Sequence, residues 1–222
     1  MIGFALALLQ VAAGAPVDEG VLVVRVDTQE VARESFRLSR GHLSRGGDGW
    51  TLATTIRYDR SRPVVVLAPI LEVNTDTLPA TLQYDIADPR QPSRILGELG
   101  RGRFTIRFVA RATERAREFA TGQRPVVLDD SVFALYVFAA WLAPAGGRLT
   151  AIFPRALRRD VLTVVDQGMA ATTLNRDPAR LRHVILGSDG PAPVHLWLDE
   201  AGRLMKVDIP ARHLTAERLA GS

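Results

Sequence analysis

The sequence predicts a mainly β (α+β) fold: a strongly curved antiparallel sheet or half-open barrel wrapped around one central apolar helix. Three observations carry this. Apolar and polar residues alternate with period two in short runs from Val21 to Pro210, the mark of half-buried strands. The stretch Val132 to Leu142 (VFALYVFAAWL) contains no charge, and a helix that is apolar all round needs cover on every side. Nowhere does a strand–helix–strand rhythm appear, which leaves about ten to twelve strands to form an antiparallel sheet around that helix.

In chain order, Val21–Asp27 and Val31–Leu38 flank Thr28-Gln29-Glu30 as a hairpin, and Arg40–Gly49 is loop chemistry. Trp50–Tyr58 alternates cleanly, Arg60–Pro63 is a turn, and Val64–Val73 is an apolar strand interrupted by Pro69. Ala80–Ile86 places Leu82, Tyr84 and Ile86 on one face, and Arg94–Leu99 is a further short strand. From Arg101 to Arg117 arginines take odd positions while Phe104, Ile106, Phe108 and Ala110 take even ones, giving one half-buried strand that bends near Ala112 or Thr113. Asp129, Asp130 and Ser131 before the apolar run, with Pro144, Gly146 and Gly147 after it, are start and stop signals for a helix over Val132–Leu142. Strands follow at Arg148–Phe153, Asp160–Asp166, Thr172–Asn175, Leu181–Leu186, Val194–Asp199 and Arg203–Ile209. Gly202 closes the last hairpin, and His213–Leu219 ends the chain as a short helix.

The 222 residues suffice for one sizeable core. There is no cysteine, which excludes disulfides, thiolate catalysis, cysteine-ligated zinc and a lipid-attachment cysteine. The net charge of +4 rests on arginine, since Lys206 is the single lysine. Residues 1–15 have an apolar centre and small residues suited to cleavage, so they read as a signal peptide, although no Lys or Arg precedes the centre. That leaves a single domain over 17–222 and a periplasmic or secreted location. An eleven-residue apolar run is too short for the roughly 30 Å of a bilayer.

Four groups of residues are candidates for chemistry. Asp129 and Asp130 are paired carboxylates, but adjacent in sequence they point apart and serve better as helix caps. His183 and His195 face each other across a hairpin, and with Asp199 they form a candidate metal or hydrolase site; the spacing matches no ligand motif, and His183 also fits a partly buried structural role. Arg103, Arg107 and Arg111 form an anion-contacting row, joined by Arg155, Arg158 and Arg159, against which stands an ordinary solvated face. No aromatics interleave with them, so nucleic acid is not expected. Finally Phe133, Tyr136, Phe138 and Trp141 on the helix, with Trp50, Phe104, Phe108 and Trp197 on strands, would line a pocket for an acyl chain or else form the core. No nucleophile elbow, phosphate loop, dinucleotide fingerprint or His-Glu-x-x-His occurs, so no cofactor is implied and the balance leans away from an enzyme.

The first hairpin (VLVVRVDTQEVARESFRL), the LDDSVFALYVFAAW segment and the closing HLWLDEAGRLMKVDIP hairpin resemble a bacterial secreted family of curved-sheet half-barrel proteins, similar in plan to the periplasmic lipoprotein carriers. The resemblance covers most of residues 20–210 and rests on structural motifs, so it transfers no catalytic residue. It implies non-enzymatic binding of a hydrophobic or lipid-like ligand, or of an envelope protein, in the concave face, with at most peripheral membrane contact. The alternative is a purely structural or interaction module with a closed core.

Overall fold

The computed structural model describes residues 15–111, 113–187 and 193–221; the expected signal peptide lies almost wholly outside them. Among these described residues fifteen strands form one sheet. The first eight are β1 (Ala15–Val26), β2 (Gln29–His42), β3 (Asp48–Tyr58), β4 (Val65–Asn74), β5 (Pro79–Ala87), β6 (Ser93–Gly100), β7 (Arg103–Ala110) and β8 (Thr113–Ala120). After β9 (Pro125–Val127) and the helix α1 (Tyr136–Leu142) come β10 (Gly147–Phe153), β11 (Arg158–Leu174), β12 (Asp177–Gly187), β13 (Val194–Leu198), β14 (Leu204–Ile209) and β15 (Leu214–Arg218).

The sheet order runs from β8 down to β1, then from β15 down to β9. Neighbours are antiparallel except β9, which lies parallel to β10. Two meanders are thus joined where β1 pairs with β15, Leu22 opposite Arg218 and Val26 opposite Leu214. This pairing corrects the expected C-terminal helix. The open edge of β1 needs a partner for its backbone N–H and C=O groups, and Leu214 and Ala216, both buried, alternate to the core face as strand residues do.

The sheet curls around the segment 128–142. Side chains from β2, β3 and β5 all hydrogen-bond to this segment, and α1 packs on β13 and β14 at the far side. The two outer edges, β8 and β9, do not pair. Across that seam the Arg117 guanidinium on β8 donates to the Leu157 carbonyl in the β10–β11 turn at 2.6 Å. The result is a barrel-like sheet left open along one seam, as the alternation predicted.

The expected strand from Arg101 to Arg117 is in fact the hairpin β7–β8, with Arg103 opposite Ala120 and Ala110 opposite Thr113. The bend became a reversal because continued pairing satisfies the backbone of both halves. The edge strand β8 carries Glu114, Arg115, Arg117 and Glu118, all exposed, and such charges blunt an edge against adventitious strand addition.

Candidate functional site

The helix begins four residues later than the sequence predicts. Val132, Phe133, Ala134 and Leu135 are all buried, with 0–2 % of their surface exposed, yet lie outside α1. Among the described residues no side chain of the segment caps the helix N-terminus. Its entry is held from outside the segment instead. Glu34 on β2 accepts from the Phe133 amide at 2.7 Å and the Ala134 amide at 3.0 Å, while the Thr54 hydroxyl on β3 donates to the same carboxylate at 2.8 Å. Glu34 has no exposed surface. Burial pushes its carboxyl up to about 7, against the lowering effect of those three hydrogen bonds.

Asp129 is likewise no helix cap. Its side chain is 2 % exposed and takes a two-pronged ion pair from Arg155, Nε to Oδ2 and Nη2 to Oδ1, both at 2.7 Å. It also accepts from the Ser131 amide at 2.8 Å and from the Tyr84 hydroxyl at 3.2 Å. The Tyr58 hydroxyl donates to the Ser131 carbonyl at 2.7 Å, and burial raises the Tyr58 phenol to about 12. Asp130 points elsewhere, 3.4 Å from Arg158, and its carbonyl receives Arg212 at 2.6 Å. The expected caps are therefore anchors that tie an irregular segment into the barrel. A buried carboxylate in an apolar wall needs such partners, or it would take up a proton.

Every side of α1 is covered over its first five residues, because Tyr136, Val137, Phe138, Ala139 and Ala140 are all buried. Only Trp141 and Leu142 are half-exposed. There Phe138 and Trp141 meet edge to face at 5.4 Å, and Trp141 meets Trp50 in the same way at 5.5 Å. The Arg40 guanidinium lies 5.9 Å from the Trp50 ring, within cation–π reach. An aromatic ladder thus leads from the barrel interior to its rim. Arg124 steadies that end by donating to the Leu142 and Gly146 carbonyls, a cation at the negative pole of the helix.

The remaining pocket candidates divide. Phe104 and Phe133 are fully buried in the core, and Phe108 is half-buried against it. Trp197 alternates away from the core residues Leu196 and Leu198 and stacks on His183 on the opposite face, ring centres 4.0 Å apart and 5° from parallel. It is thus no part of the concave wall.

Arg103 and Arg107 lie on the exposed face of β7 and meet glutamates of β8, Glu118 at 3.7 Å and Glu114 at 2.6 Å. Arg111 is exposed in the turn. With carboxylates so close, Arg103 and Arg107 present little net field to an anion.

His183 and His195 do meet, Nε2 to Nδ1 at 2.8 Å, with the rings 13° from coplanar. Burial and the His195 charge hold His183 below the usual imidazole value, partly offset by Asp208. Asp199 is engaged by Arg203 at 2.7 Å in the hairpin turn. Among the described residues no three His, Asp or Glu side chains gather as a metal site.

Sequence reasoning missed Glu34 and the partner of Arg155. Glu34 had a readable signal, since it shares the inward parity of Ala32, Phe36 and Leu38. Arg155, expected to join the anion-contacting row, is instead taken by Asp129, and no pattern pointed to that pair.

No protein-family model matches the chain, and no curated protein matches it. Among solved structures it is similar to the crystal structure of a beta-barrel-like protein of domain of unknown function DUF1849 from Brucella abortus. The two superpose with a TM-score of 0.50 at 11% sequence identity, over 93% of this chain and 97% of that one. That likeness agrees with a mainly β, barrel-like architecture, and the open seam is read from this chain's own strand order.

Proposed function

We propose that this protein is a non-enzymatic binding protein of the cell envelope, taking the apolar part of a lipid-like ligand at the barrel rim where α1 ends. The observation that carries the reading is the ladder Phe138–Trp141–Trp50, whose outer members stay half-exposed beside Arg40. Large aromatics bury much apolar area on contact, and a guanidinium beside them suits an anionic or polar end. The half-barrel plan resembling lipoprotein carriers supports the same reading by analogy of architecture alone. Protein purified without detergent should carry lipid by native mass spectrometry, and a lipid with brominated acyl chains should quench Trp141 fluorescence. Trp141→Ala should lower lipid retention while the protein stays folded, with a lowered melting temperature from the lost contacts to Phe138 and Trp50. Lipid-free protein whose fluorescence ignores the brominated probe would sink the proposal.

A second reading is favoured by a different observation. The chain's own residues 132–140 are all buried inside the curled sheet. The protein then acts as a structural or interaction module with a closed core, and the lipid experiment returns empty protein.

A further inference from the structure

We infer that a groove beside the seam, lined by Gly122, Gln123, Arg148, Thr150, Arg159 and Val161, is a binding site for a phosphate-type anion. Its volume is about 240 Å³, below the roughly 300–1,000 Å³ of pockets that enclose a whole drug-sized ligand. It is therefore of a size for a head group or a small oxyanion.

The register of β10 and β11 places the two arginines. Arg148 stands opposite Thr163 and Arg159 opposite Ile152, with the pair Thr150 and Val161 between them. Alternation turns all of these to one face, so a guanidinium flanks the groove at either end. Neither guanidinium has a hydrogen-bond or ion-pair partner among the described residues. That separates them from Arg94, Arg103, Arg107, Arg158 and Arg182, each of which holds a carboxylate. Two exposed guanidiniums without counter-charges, with five donors each in a planar fork, match tetrahedral and carboxylate oxyanions.

The floor of the groove is kept open by a glycine. Gly122 has φ +59°, and a Cβ there would stand 2.6 Å from the Thr150 hydroxyl and 3.7 Å from Nη2 of Arg159. Any side chain would fill the space between hydroxyl and guanidinium, where a ligand oxygen can sit. Two other surface grooves lack this combination. One contains Arg107, already held by Glu114, and the other contains Glu30 and Asp59, already held by Arg33 and Arg57.

The anion has two sources, a phospholipid head group or a soluble phosphate. The groove shares no lining residue with the Trp50–Trp141 rim, and inorganic phosphate has no apolar part, so the two proposals fail independently. The test titrates the full chain with inorganic phosphate by calorimetry and with vesicles of phosphatidylcholine, alone or mixed with phosphatidylglycerol, by sedimentation. Arg148→Ala/Arg159→Ala is compared with Arg103→Ala/Arg107→Ala, which removes the same two charges elsewhere on the surface. The expected result is saturable binding to the wild type, weakened about tenfold or more by the groove variant, since each charge-assisted contact is worth roughly that factor, and unchanged in the control. Recruitment to the phosphatidylglycerol vesicles, competed by phosphate, assigns the head group. Phosphate binding without recruitment assigns a soluble anion. No binding of either probe to the wild type overturns the inference, and so does equal weakening by both variants, which would mean bulk charge alone.

Discussion

Glu34 accepts the Phe133 amide at 2.7 Å across ninety-nine residues of chain, so a strand of the first meander sets where the apolar segment enters the barrel. The same carboxylate takes the Ala134 amide and the Thr54 hydroxyl. No residue local to the helix supplies this, and the short helix follows from it.

A consequence for pH follows. Burial holds the Glu34 carboxyl near 7 in the folded protein against 4.5 for an unburied glutamate. The folded state therefore binds the proton more tightly than the unfolded chain, and this contribution is complete below about pH 4.5 and lost as pH rises through about 7. At 1.36 kcal/mol per unit the loss is about 3 kcal/mol. Glu34→Gln gives up one of the acceptor oxygens at a fixed cost but does not titrate. Urea unfolding from acid to mildly alkaline pH should show the variant gaining on the wild type as pH rises; parallel curves would refute the assignment.

Removing Arg155 leaves the Asp129 carboxylate buried with only the Ser131 amide and the Tyr84 hydroxyl. Loss of one partner from a fully buried pair costs about 3–5 kcal/mol, and 31% of the Arg155 side chain is exposed, so Arg155→Ala should cost about 2–3 kcal/mol. Arg155→Met combined with Asp129→Asn should recover part of that loss. Chemical denaturation measures these losses. The wild type, Arg155→Met, Asp129→Asn and the double variant complete the cycle, and additive losses would show that the two groups do not couple.

The alternation of β7 separates two classes of position. Phe104 is fully buried, and Phe104→Ala should cost about 3–5 kcal/mol. Arg107, on the other face, has an exposed ion pair with Glu114, so Arg107→Ala should cost under about 1 kcal/mol. Comparable losses at the two sites would mean a slipped register.

Gly97 faces the same phenylalanine. A Cβ at position 97 would stand 2.7 Å from Phe104 Cε1 and 3.0 Å from Leu82 Cβ, closer than packed carbons approach. Gly97→Ala should destabilise by about 1–3 kcal/mol, and Phe104→Leu in the same chain should relieve part of it. Thermal melting of the single and double variants reads both effects.

Much of the sheet was legible because period-two alternation survives wherever one face meets a core. Phe104 and Ile106 were placed inward and Arg103 and Arg107 outward by parity alone. The helix start was misread because Asp129, Asp130 and Ser131 fit a local cap, and no local pattern announces that the amides of Phe133 and Ala134 are taken by a distant strand. Glu34 could have been found as a charge sitting at an inward position of β2. The Asp129–Arg155 pair could not, since it joins the segment to a turn twenty-six residues on. The C-terminal strand was missed because β15 is short and its need arises only from the free edge of β1.

The joint between β1 and β15 also bears on how the molecule is made. Hairpins β2–β3 through β7–β8 and β10–β11 through β14–β15 link neighbours in the chain, so each meander can zip locally as it emerges. The Leu22–Arg218 register cannot form until nearly the whole chain exists. Loop-closure entropy then makes this pairing the slow, late step, and until it happens two long strand edges lie open. Truncation before Leu214, which removes β15 and the residues after it, would thus show first as aggregation during refolding.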